Sequence, residues 1–125
     1  MTNAIENRLV WTEIPAIDLK RAANFYETIL EASVTENNAG PQTIMMLPYA
    51  GGNGTGTSGH VYEGSPATEG DGITAHLAVN GELDDAMERV KKGGGEVVSE
   101  VIFIPAGSFF YAKDTEGNSL GIFKN

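Results

Sequence analysis

Residues 9–30 read LVWTEIPAIDLKRAANFYETIL, and the rest of the chain is arranged around them. Leu9, Trp11 and Glu13 alternate with Val10, Thr12 and Ile14, so a strand here carries an indole and a carboxylate on one face. Pro15 is expected to end that strand and Asp18 to cap a helix, because Leu19, Ala22, Phe25, Tyr26, Ile29 and Leu30 then recur at helical spacing. The apolar stripe of such a helix has to pack on a sheet.

Downstream, Ser33–Glu36 starts a short strand, Asn37, Asn38, Gly40 and Pro41 mark a turn, and Thr43–Leu47 forms the returning strand. Ala50–Gly59 has the most flexible composition of the chain and is expected to form a mobile flap before His60-Val61-Tyr62 resumes strand character. Gly54–Gly59 spells GxGxxG, but no helix follows it, so the pyrophosphate-binding use of that pattern is rejected.

Ser65–Gly72 reads as a linker, after which the opening pattern returns. Ile73–Val79 is a strand, and Asn80 is expected to cap a helix from about Glu82 to Lys92, with acids in its first turn and lysines in its last. Leu83, Ala86, Met87 and Val90 are its buried face. Glu96–Ser99, Gly107–Ala112 and Asn118–Phe123 read as three further strands, the last two joined by DTEGN at 114–118.

Leu19, Ala22 and Tyr26 align with Leu83, Ala86 and Val90 at one constant offset, so the chain is a tandem repeat of strand, helix and three strands. The expected fold is α+β: one domain over residues 1–125, built from two βαβββ modules of about 8–64 and 72–124. Neither four-stranded module can bury both faces alone, so the two combine into a curved cup with the helices outside.

Seventeen acidic residues against eight basic ones, a formal charge of -9, give no footprint for nucleic acid or an anionic membrane surface. With no cysteine, disulfides and thiolate chemistry are excluded. No apolar run suits a membrane span or a leader, so a cytoplasmic protein is the default reading.

WTEIPAIDLKRAANFYETIL, the AHLAV strand before a helix ending KKGGGEVV, and the closing KDTEGNSLGIF together resemble the vicinal-oxygen-chelate superfamily over residues 8–124. That is the group of glyoxalase I (lactoylglutathione lyase), bleomycin-resistance proteins and extradiol dioxygenases. The resemblance implies paired βαβββ modules, cup-shaped sites and a homodimer. It also implies where metal ligands would stand. The first-strand histidine position falls on Trp11, the last-strand glutamate position on Gly121, and the ligand position opening the second half on Thr74, with His76 two residues along the same face. His60 lies near the remaining position. Most of the usual set is therefore missing, and no cofactor is expected.

Glu13, His60 and His76 are the candidate catalytic residues, since a carboxylate in an apolar cup and two histidines can serve as acid and base. His60 and His76 are also weak metal candidates, with Glu13 as a third donor, but a divalent ion usually demands three or more fixed ligands. Trp11, Glu13, Met45, Thr74, His76 and Phe110 are the candidate ligand-binding residues. The favoured reading is a metal-free cup that binds a small organic molecule. The alternative is a divalent-metal-dependent lyase or isomerase with a non-standard His/Glu site, and a third is an interaction module. Exposed strand edges predict a homodimer.

Overall fold

The computed structural model describes Ile5, residues 8–50 and residues 56–125. Among the described residues the order is β1 (Trp11–Ala16), α1 (Leu19–Leu30), β2 (Thr35–Asn37), β3 (Ile44–Met46) and β4 (Ser58–Glu63), then β5 (Thr74–Val79), α2 (Leu83–Lys92), β6 (Glu96–Val97), β7 (Ile102–Ile104), β8 (Gly107–Lys113) and β9 (Ser119–Lys124). The repeat holds to the residue at the helices, which begin at Leu19 and Leu83.

Each half makes one open sheet. The first runs β1-β4-β3-β2 and the second β5-β9-β8-β6, with β7 also on β8. β1 pairs parallel to β4 and β5 parallel to β9, while the other neighbours are antiparallel. Among the described residues β1 and β5 each have a neighbour on one side only, so each sheet presents its first strand as a free edge.

One core joins the halves. Phe25, Tyr26 and Ile29 of α1 and Ala86 and Val90 of α2 are buried with Ile14, Val61, Phe110, Leu120 and Ile122 from the two sheets. The helices touch each other directly, and the Arg89 guanidinium donates from Nε to the Ile29 carbonyl across that contact at 3.2 Å. Removing such large side chains from water is the main stabilising term.

Four expectations are corrected. Pro15 does not end β1: it lies within the strand opposite Tyr62. The Ala16 carbonyl accepts from Gly64 on the β4 side while the Pro15 carbonyl accepts from Asn118 on the other, so the missing proline N–H falls on the free edge and no ladder bond is lost. Asn80 does not cap α2. Glu82 is the N-cap residue and makes no side-chain cap bond, and the Asn80 amide oxygen accepts from Asn125 instead. A strand at Ile102–Ile104 was not expected: β6 and β7 both pair with β8, parted where Val98 and Ser99 share the Tyr111 carbonyl. Of the flap expected over Ala50–Gly59, residues 51–55 lie outside the described residues, and Ser58 and Gly59 already belong to β4.

Asp18 does cap α1, its carboxylate accepting from the Arg21 N–H at 3.0 Å. The turn before β9 adds a second cap from the other half of the chain. Glu116 Oε1 accepts from the backbone N–H groups of Ile17 and Asp18, each at 2.9 Å, and from Arg21 Nη2, while Oε2 accepts from Arg21 Nε and the Thr115 hydroxyl. These donors and the helix start hold the Glu116 carboxyl down at a pKa of about 2 against the burial that opposes it, the Arg21 hydrogen bond contributing most. Beside it the buried Tyr26 hydroxyl donates to Asp114 at 2.5 Å, and Asp114 also accepts from Glu116 N–H, Asn118 N–H and the Asn118 amide. Burial, then the adjacent Asp114 charge, pushes the Tyr26 phenol well above its usual range. Gly117 closes this turn at φ 94, and any Cβ there would overlap the Thr68 backbone, so glycine is required twice over. Among the described residues, no helix is long and apolar enough to cross a membrane.

Candidate functional site

The free edges of β1 and β5 bound a cleft of about 610 Å³, lined also by Ala67, Gly72 and the Asn118–Leu120 stretch. Because it runs along two strand edges, residues of both faces line it, Ile14, Ala75 and Leu77 as well as Trp11, Glu13, Thr74 and His76. On β5, Ala75, Leu77 and Val79 pack toward the helices, which leaves Thr74 and His76 on the helix-free face. On β1, Ile14 and Ala16 enter the core and leave Trp11 and Glu13 on the same helix-free face.

Trp11, Glu13, Thr74 and His76 all line the cleft. Thr74 and Ser119, opposite each other in the register, share a hydroxyl–hydroxyl hydrogen bond of 2.6 Å. His60 does not line it. His60 stands behind Trp11 and Glu13 on β4, where its Nδ1 accepts the Trp11 indole N–H at 2.8 Å and its Nε2 lies 3.6 Å from Glu13 Oε1. The structure thus groups Trp11, Glu13 and His60 on the first sheet and sets His76 on the second.

Met45 and Phe110 do not take the places expected of them. Phe110 is fully buried in the core opposite Ile122, and Met45 packs against the same core opposite Val61. Their neighbours take the helix-free face: Met46 stands opposite His60, and Phe109 stacks on Phe123 with ring centroids 5.9 Å apart and planes 4° from parallel. Phe109 also meets the His76 imidazole edge-on, as do Tyr111 and Phe123. These aromatic partners were missed because adjacent pairs such as Phe109-Phe110 cannot be assigned to faces before the register is known.

The metal positions implied by the resemblance can be tested on this geometry. The parallel register sets His76, rather than Thr74, beside Gly121, and the imidazole lies where a side chain at 121 would stand. Trp11 supplies an indole, which has no free lone pair for a cation. Among the described residues no three His, Asp or Glu side chains converge as a metal site would require. The donor set does not fit a family-type divalent ion.

Comparisons with known proteins agree with the architecture. Among solved structures, a hypothetical protein from S. aureus superposes with a TM-score of 0.70 at 19% identity, covering 98% of this chain and 100% of its own. A glyoxalase/bleomycin resistance protein from Albidiferax ferrireducens T118 gives 0.71 at 16% identity, covering 95% and 99%. The fosfomycin resistance protein FosX from Listeria monocytogenes gives 0.67 at 18%, covering 98% and 93%. At these identities the likeness shows the fold. No curated protein matches the sequence. The family model for the glyoxalase/bleomycin resistance protein/dioxygenase superfamily matches residues 8–122, nearly the whole chain, and the chain belongs to that superfamily.

Proposed function

We propose that the protein binds a small organic molecule, without a metal, in the cleft between β1 and β5. The observation that carries this reading is the cleft itself: about 610 Å³, within the range of roughly 300–1,000 Å³ usual for small-ligand sites, with apolar walls, one indole, one imidazole and one carboxylate. The fosfomycin-resistance and bleomycin-resistance neighbours are in keeping with a fold used on small organic compounds. The metal-dependent lyase or isomerase is the weaker reading, because Trp11 and Gly121 offer no ligand where the fold would want one.

The test is a thermal-shift screen of small apolar and aromatic compounds in EDTA, against the wild-type chain and Trp11→Ala. A ligand that binds only the folded state raises the melting temperature by mass action. Compounds that stabilise the wild type and not Trp11→Ala carry the reading; a screen without hits, or hits indifferent to Trp11, ends it.

The outer strands β2 and β7, together with the exposed Val10 and Phe103, support a homodimer as the working assembly. Light scattering at micromolar concentration decides it, and a monomeric mass would overturn it.

A further inference from the structure

The ring and the charge of the cleft, Trp11 and Glu13, are both tied to a residue that does not line it. Only 15% of the His60 side chain is exposed, and the parallel register sets it directly beside Glu13. An indole nitrogen can only donate, so His60 Nδ1 is the acceptor and the neutral imidazole carries its proton on Nε2. At 3.6 Å, Nε2 is too far from Glu13 Oε1 for a hydrogen bond but near enough for its N–H dipole to attract the carboxylate. Tyr62 meets the imidazole, and Tyr49 the indole, edge-on. One histidine therefore touches two groups of the cleft wall, by a hydrogen bond to Trp11 and a weaker attraction to Glu13.

Glu13 is 67% exposed. Among the described residues it has no lysine or arginine partner, and it is the one acidic or basic side chain, His76 aside, on the cleft wall. An unpaired carboxylate at an apolar wall gains from an N–H, O–H or ammonium group and repels an anion. Resting on the ligand-binding reading of the cleft, we infer that His60 is its positioning residue, acting through Trp11 and Glu13. The cleft so arranged selects flat ring compounds that carry a hydrogen-bond donor or an ammonium group, and rejects those that carry a carboxylate.

The chain has a single tryptophan, so its indole N–H gives one unambiguous resonance in a nitrogen-15 correlation spectrum. The full-length protein would be titrated with three probes on one ring system: 2-naphthylmethylamine, 2-naphthalenemethanol and 2-naphthoate. The expected result is that the amine and the alcohol move the indole resonance and bind about tenfold or more tighter than the naphthoate, a gap that Glu13→Gln closes. His60→Ala should shift the unliganded indole resonance upfield and weaken the amine several-fold. His60→Asn, whose amide oxygen can accept at the place of Nδ1, should restore the resonance. Naphthoate binding as tightly as the amine, or an indole resonance unmoved in a folded His60→Ala, would overturn the inference and leave the cleft reading standing. If none of the three probes perturbs any residue of the cleft, both fall.

Discussion

His76 and Gly121 are register partners on β5 and β9, and the imidazole of the first rests where the second would carry a side chain. The glycine is thus part of the site, since it provides the floor on which the His76 ring lies among Phe109, Tyr111 and Phe123. Gly121→Ala must displace that ring and is expected to lower stability by about 1–2 kcal/mol in urea unfolding. The double variant Gly121→Ala/His76→Ala should recover most of the loss, because the two residues are in contact. Additive losses would mean that the ring is not held there.

Glu116 predicts an acid dependence of stability. Its folded pKa, about 2, lies below the ordinary value of 4.5, so the folded state favours the charged form. That contribution is complete above about pH 4.5 and is lost as the pH falls through about 2. Glu116→Gln should lower stability at neutral pH by about 2 kcal/mol and flatten this part of the curve between pH 4.5 and 2. Denaturant melts across that window check both, and an unchanged slope in the variant would count against the clamp.

The Tyr26–Asp114 bond predicts the opposite sign at alkaline pH. A raised phenol pKa favours the neutral ring in the folded state, a contribution present below pH 10 and lost as the pH rises through the folded pKa. Tyr26 should ionise only together with unfolding, seen as an absorbance step at 295 nm coincident with the loss of circular dichroism and missing in Tyr26→Phe. The same variant should be less stable at neutral pH by about 1–2 kcal/mol, since it leaves a buried carboxylate short of one donor.

Metal addition gives the plainest outcome. Protein purified without exposure to nickel should contain no stoichiometric metal, and EDTA or added zinc, manganese or nickel should leave its melting temperature unchanged. One ion per subunit, lost in His76→Ala, would restore the metal-dependent reading.

How far the sequence could be read depended on the range of the interactions involved. The stripe from Leu19 to Leu30 and its echo at Leu83 are local periodicities, and they predicted the helices, the repeat and the α+β architecture. The face shared by Trp11 and Glu13 was legible for the same reason, since alternation along a strand is fixed by its own geometry. The Trp11–His60 bond joins residues 49 apart and depends on the parallel register of β1 on β4, which no local pattern encodes. Met45 against Met46, and Phe109 against Phe110, turned on a one-residue choice of face. Pro15 misled because its strand-breaking effect vanishes at a free edge, and the edge is a property of the sheet.

Glu116 belongs to the second repeat, yet it closes the start of the helix in the first, and α2 receives no such cap in return. The two halves are therefore donor and recipient, no longer interchangeable copies. Cut at the Ser65–Gly72 linker, the leading fragment would keep its helix sequence and lose the group that finishes it. The first half therefore depends on the second for more than packing.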